Sequence, residues 1–155
     1  MKVIYSFEKI KIEGKSIFLA GPTPRNNDVD SWRSEAINIL RKNKFVGTVL
    51  VPEARKFEPK SNYLDEVEWD TKAAESCDLM VFWVPRHIPK LLGLTTNIEF
   101  GYYIDKKKII YGRPNTADDI DYMDWFYEKN TGKKTFDNLE NVLKESIKLL
   151  EEELK

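Results

Sequence analysis

The sequence has few of the residues that build crosslinks and metal centres. It contains one cysteine, Cys77, and one histidine, His87. A lone cysteine excludes an internal disulfide framework and suits a reducing cytoplasm, the expected location. One Cys and one His are too few for a structural zinc site, so no metal is expected. No basic-plus-apolar leader and no long apolar run is present, so neither secretion nor a membrane partner is expected. Net charge is −1, from 25 Lys and Arg against 26 Asp and Glu. That balance gives no support to a nucleic-acid partner. Internal repeats, low-complexity tracts and linkers are also absent.

What remains is an ordinary globular balance, 41% hydrophobic and 33% charged over 155 residues. This is enough for one domain, residues 1–155, with one core. Val3–Ile12 alternates loosely and is expected to add an edge strand within residues 1–14. Ser16–Ala20 and Phe45–Val51 read as buried strands, ended by Gly21-Pro22 and by Pro52. Leu79–Val84 is a third strand, followed by Pro85, and Lys108–Tyr111 a fourth. Lys133–Phe136 reads as a short fifth.

Helices are expected between them. Asp28 or Asp30 can cap one running to about Asn43, with Trp32, Ala36, Ile39 and Leu40 on one face. A second spans Asn62–Ser76, with Val67, Thr71 and Ala74 inward and Trp69 outward. A third runs from Thr95 or Thr96 to about Asp105, and a fourth covers Asp118–Lys129. Asp137-Asn-Leu-Glu140 reads as the capping box of the last helix. Its apolar stripe is Leu139, Val142, Leu143, Ile147, Leu150 and Leu154. Alternation of strands and helices argues an α/β fold: one doubly wound, mostly parallel sheet with helices on both faces. Ligands in such sheets sit beyond the carboxyl ends of the strands, where strand order reverses.

Two acidic residues fall at that edge. Glu99 is expected in the first turn of a helix, where backbone N–H groups and the helix dipole keep a carboxylate ionised. It reads as a nucleophile or as a helix cap, since Thr96-Asn-Ile-Glu99 fits a capping box. The pattern alone favours the cap. Asp70 falls between Val67 and Ala74 on the helical wheel, so it needs a partner or faces a cavity. Glu66 is one turn earlier. Arg25, Arg55, Arg86 and Arg113 each occupy a different loop at the carboxyl edge, with Lys56 and Lys90. Together they would suit an anionic ligand, although any single one reads slightly better as surface charge. His87 shows no obvious acid partner. Trp69, with Trp125, Phe126 and Tyr127, reads as an outer aromatic layer or a subunit contact, so a homo-oligomer is expected.

At these residues the chain resembles the nucleoside 2-deoxyribosyltransferase superfamily, including its deoxynucleoside-monophosphate N-glycosidase branch. The matching pieces are Ile17-Phe-Leu-Ala-Gly-Pro22, Asp70 with Asp78-Leu-Met-Val-Phe-Trp83, and Asn97-Ile-Glu-Phe-Gly101. They cover about Lys15–Gly112 and reverse the balance on Glu99. The resemblance implies a flavodoxin-like sheet, a retaining double displacement and no cofactor. Glu99 matches the nucleophile that attacks C1′ of a 2′-deoxynucleoside. Asp70 matches the acid that assists the departing base. The implied partners are a nucleoside or nucleotide and a free nucleobase. Gly21, Pro22, Thr23, Arg25, Glu66, Trp83, Thr95, Thr96 and Asn97 are the expected substrate-binding residues. The sequence departs from the family pattern at Phe18, where relatives often carry Tyr, and at Leu94–Asn97. Transfer to a second base is expected. Hydrolysis of a 5′-monophosphate and a nucleotide-sensing module without chemistry are the alternatives.

Overall fold

The computed structural model describes residues 1–25, 29–55 and 63–152. In chain order the elements are β1 (Lys2–Tyr5), β2 (Ser16–Ala20), α1 (Trp32–Lys42), β3 (Thr48–Val51), α2 (Tyr63–Ser76), β4 (Leu79–Trp83), α3 (Leu94–Tyr103), β5 (Lys108–Gly112), α4 (Asp121–Thr131) and α5 (Leu139–Glu152). The strands form a single sheet in the order β1-β3-β2-β4-β5. Every pairing in it is parallel. Without β1, the order of the remaining strands is the flavodoxin-like 2-1-3-4.

All residues of β2, β3 and β4 are buried. Helices cover both faces, which is why these strands read as continuous apolar runs. The side chains sort by the strand period of two. Ile17, Leu19, Val49, Val51, Leu79 and Val81 meet Trp32, Ala36, Ile37 and Leu40 of α1 and Val142, Leu143 and Leu150 of α5. Phe18, Ala20, Leu50, Met80 and Phe82 meet Trp69 and Ala73 of α2, Phe100 of α3, and Met123 and Tyr127 of α4. At the opposite sheet edge from the loops, Asp78 accepts from the Ser16 amide and hydroxyl at 2.8 and 2.7 Å. This carboxylate sets β2 and β4 in register.

Several expectations are corrected. The N-terminal strand stops at Tyr5, and Phe45 is a core residue before β3 rather than its start. Lys133–Phe136 forms no strand; Phe136 makes one parallel bridge to Gly112. Ser31 caps α1, its hydroxyl accepting from the Arg33 amide at 3.2 Å. The alternative Asp28 lies outside the described residues, as do Lys56, Asn62 and Leu154. On α1, Ile37 rather than Ile39 completes the buried face. At α5 the capping side chain is Asn138, which accepts from the Asn141 amide at 3.1 Å. Glu140 pairs instead with Lys144 at 2.8 Å. Trp69 does not face outward: it is 9% exposed and packs in the core, while Val67 is 40% exposed. Tyr127 is also fully buried, which leaves Trp125 and the half-buried Phe126 in the outer layer. Among the described residues, no helix is long and apolar enough to cross a membrane.

Candidate active site

The chain leaves β2 for β3 on one side and β4 for β5 on the other, so strand order reverses between β2 and β4. A cleft of about 560 Å³ opens beyond the carboxyl ends there. That volume suits a small organic ligand. Its walls are the Gly21–Arg25 loop, the segment Pro89–Gly93, and one side each of α2 and α3. The α2 wall consists of Tyr63, Glu66, Val67, Asp70 and Thr71, which recur at helical spacing. Of the stripe expected to face the sheet, Val67 and Thr71 therefore face the cleft, and Ala74 faces the core as expected. Trp69, Ala73 and Ala74 make the sheet contact.

Two glycines shape the mouth. Gly21 has φ of +149°, and a Cβ there would lie 2.1 Å from the Trp83 carbonyl oxygen. Gly93 has φ of +65° and precedes α3, and its Cβ would strike Pro22 at 2.6 Å. Both positions exclude a side chain by conformation and by contact. Gly93 occupies the N-cap position of α3, and no side chain caps that helix. Thr95 and Thr96 are already helical, so neither is the cap. Glu99 consequently stands in the second turn, beyond the reach of a capping box. Thr95, Ile98 and Glu99 share the cleft-facing side of the helix.

Beneath the cleft lies Arg33, 1% exposed, a residue that spacing arguments passed over. Its Nε donates to the Leu19 carbonyl at 2.9 Å and Nη2 to the Gly21 carbonyl at 2.7 Å. Nη1 donates to the Pro22 carbonyl at 3.4 Å and to Thr23 Oγ1 at 3.1 Å. It also pairs closely with Glu53 Oε1, which accepts from the Ser31 hydroxyl at 2.7 Å. One guanidinium thus uses its planar fork to hold the whole loop after β2. The readable signal was its place in the buried face of α1, between Trp32 and Ala36.

Asp70 and Glu99 face the same cleft from α2 and α3. Asp70 Oδ1 is buried, with no hydrogen-bond partner among the described residues. Burial, then the charges of Glu99 and Glu66, push the Asp70 carboxyl up to about 7, while Arg33 opposes the shift. Burial also raises Glu99, against the pull of Arg33. Two carboxyls that repel each other in a poorly solvated site share a proton more readily than they both ionise.

The other expected residues divide. Gly21, Thr23, Arg25, Glu66, Thr95 and Thr96 line the cleft, and Pro22 supports it through its contact with Gly93. Trp83 does not: it is buried in the opposite core layer and borders a separate groove with His87. Asn97 is drawn away, because its Oδ1 accepts a short hydrogen bond from Arg86 Nη2. The four loop arginines do not converge. Arg86 is buried and also donates to the carbonyls of Leu92 and Asp119, both at 2.7 Å. Arg55 pairs with Glu8 at 2.7 Å, and Arg113 with Asp124 at 2.7 Å. Only Arg25 of the four, with Lys90, reaches the cleft. His87 does have an acid partner, Asp118, at 3.3 Å. Among the described residues, no group of three His, Cys, Asp or Glu side chains is placed to hold a metal ion.

The family described as nucleoside 2-deoxyribosyltransferase like matches residues 14–116, about two thirds of the chain. The chain belongs to the nucleoside 2-deoxyribosyltransferase-like family. No individual curated protein matches it closely. The matched region begins just before β2 and ends just after β5. It therefore contains every strand end and loop that borders the cleft, and both carboxyls. β1, α4 and α5 lie outside the matched residues.

Proposed function

We propose that this protein is a deoxyribosyltransferase that moves 2-deoxyribose between nucleobases. The observation that carries the reading is the pair of carboxyls, Asp70 and Glu99, set from different helices into one cleft at the switch point. Glu99, ionised, attacks C1′ of a 2′-deoxynucleoside. The C1′–N bond breaks with its electron pair passing to the base, and protonated Asp70 supplies the proton that neutralises it. A deoxyribosyl ester on Glu99 results. A nitrogen of a second base then attacks C1′ from the opposite side, Asp70 takes the proton back, and Glu99 is released. Two inversions retain the configuration, the logic of retaining glycosidases. An Asp70 carboxyl raised to about 7 supports this role, since about half of it carries its proton at neutrality and it can both give and take one there. The chemistry asks for no cofactor.

A second reading replaces the acceptor base by water and the nucleoside by its 5′-monophosphate. Arg25 and Lys90 favour it, because both line the cleft as cations. Incubation with deoxyadenosine or its monophosphate, with and without free cytosine, separates the readings by chromatography. New deoxycytidine supports transfer. Free adenine alone supports hydrolysis. No turnover of either would leave a nucleotide-binding module. In the hydrolase case Arg25→Ala is expected to raise KM for the monophosphate about 10- to 100-fold, and for the nucleoside little. That corresponds to a charge-assisted contact of about 1.5–3 kcal/mol. Equal effects on both substrates would remove Arg25 from a phosphate site.

The reading includes a homo-oligomer. Leu94, Ile98 and Tyr102 form an exposed apolar row along α3, and Tyr122 and Trp125 are exposed on α4. Such a row is more than single scattered surface apolar residues. A monomer by light scattering at micromolar concentration would count against it.

A further inference from the structure

Residues 1–13 precede the family-matched region, yet they reach the cleft's supporting helix. After β1 the chain turns at Ser6–Glu8 and runs back toward Gly14. The return is marked by contacts from Lys2 Nζ to the Lys11 carbonyl at 3.0 Å and from the Glu13 amide to Thr48 Oγ1 at 2.8 Å. The turn is held from several sides. The Ser6 amide donates to the Glu53 carbonyl at 2.9 Å. The Glu8 carboxylate accepts from the Tyr5 amide at 3.0 Å and from Arg55 Nε at 2.7 Å. Arg55 lies over the Tyr5 ring at 4.3 Å. Phe7 has φ of +67°, a conformation a side chain seldom adopts unless its surroundings impose it.

The turn grips α2. Trp69 Nε1 donates to the Glu8 carbonyl at 2.8 Å. Its ring is buried in the same core layer as Ile4, with Ile10 and Ile12 packed against it. Trp69 immediately precedes Asp70, and the two occupy different sides of α2, one toward the core and one toward the cleft. A rotation of the helix about its axis would move both. The same turn holds the backbone of Glu53, whose side chain pairs with Arg33 under the cleft.

We propose that the Ser6–Glu8 turn is a clamp that positions Asp70, with the Glu8 carbonyl fixing the Trp69 indole and thereby the rotation of α2 about its axis. Trp69 is in this view a positioning residue, and its effect on turnover rests on the reading of Asp70 as proton donor. The charged groups that face Asp70 are Glu66 on its own helix, Glu99 from α3 and Arg33 from α1. None of them lies in the clamp, so a change there reaches Asp70 through the placement of α2 or, by way of Glu53, of Arg33.

The test is Trp69→Phe in the full 155-residue chain, which removes the indole donor and keeps an aromatic ring. The titration of Asp70 is followed by carboxyl carbon NMR. The expected result is a midpoint lower by about one pH unit or more, as α2 rotates and water reaches the carboxyl. Arg55→Ala loosens Glu8 from the exposed side, and it should shift the midpoint the same way by less. It decides the matter should Trp69→Phe fail to fold. With active wild type, kcat for a deoxynucleoside falls about tenfold in Trp69→Phe while KM stays within about twofold. A lower melting temperature with an unmoved Asp70 midpoint would make the contact mere packing and overturn the proposal. A shifted midpoint in a chain whose wild type turns over no deoxynucleoside would keep the clamp and sink the catalytic reading.

Discussion

Glu99→Gln is expected to fold normally and to lose nearly all turnover. Gln preserves the size of the side chain and its hydrogen-bonding capacity, but a neutral amide cannot form the glycosyl ester. The structure sharpens the test. Were Glu99 a capping-box residue, Gln would serve as well and activity would persist. Glu99 instead sits in the second turn of α3, and the N-cap position belongs to Gly93. Its carboxyl is raised by burial, so holding it ionised costs the folded state free energy. Glu99→Gln should then not destabilise the protein at neutral pH. Mass spectrometry of the wild type quenched during turnover should find a deoxyribosyl adduct on Glu99. Full activity in Glu99→Gln would end the covalent mechanism.

Asp70→Asn should lower kcat by about 10²–10⁴, and least for substrates with good leaving groups, because it removes the proton that neutralises the departing base. The same substitution should raise stability above neutral pH. The ordinary Asp value of 3.8 rises to about 7 in the folded state. A raised carboxyl binds its proton more tightly when folded. Its favourable contribution is thus complete below about pH 3.8 and lost as pH rises through about 7. An amide carries no such loss. The two proteins should be equally stable near pH 3.5, and the Asp70→Asn variant ahead by about 1–4 kcal/mol at pH 8. Urea denaturation at the two pH values reads this without reference to any substrate. A wild type at least as stable as Asp70→Asn at pH 8 would mean that Asp70 is solvated or paired and does not hold a proton near neutrality.

The fold was legible where local chemistry and burial agree. Ser16–Ala20 and Leu79–Val84 are apolar on nearly every residue, closed by Gly or Pro, and covered on both faces, so no neighbour can reassign them. The Glu99 helix was legible for a different reason: its position after a strand and a Pro-bearing loop puts it at the sheet edge in any doubly wound arrangement. The helix faces were harder. On α2 two stripes compete, Tyr63-Val67-Asp70-Thr71 and Trp69-Ala73-Ala74, and the wheel ranks them almost equally. In the folded chain the second packs among core residues of β2, β4, α3 and α4, and the Glu8 carbonyl satisfies the Trp69 indole there.

Charged side chains divide the same way. The amino-acid order put Glu99 at the sheet edge, one turn nearer the helix start than it stands, and left Asp70 open between a buried partner and a cavity. It did not determine which arginines are free. Arg86 and Arg113 look like loop cations, but their partners, Asn97, Asp119 and Asp124, come from segments 11 to 33 residues away. Arg33 falls on the buried face of α1, but its partners, carbonyls at the end of β2 and a carboxylate after β3, are remote in the chain. Burying a guanidinium is favourable only when remote groups satisfy its donors, and those groups meet only once the sheet is assembled. Pattern and spacing therefore determined the central strands and the helices, and the family resemblance singled out the acidic pair. Tertiary packing alone decided which charges are spent on structure and which face the cleft.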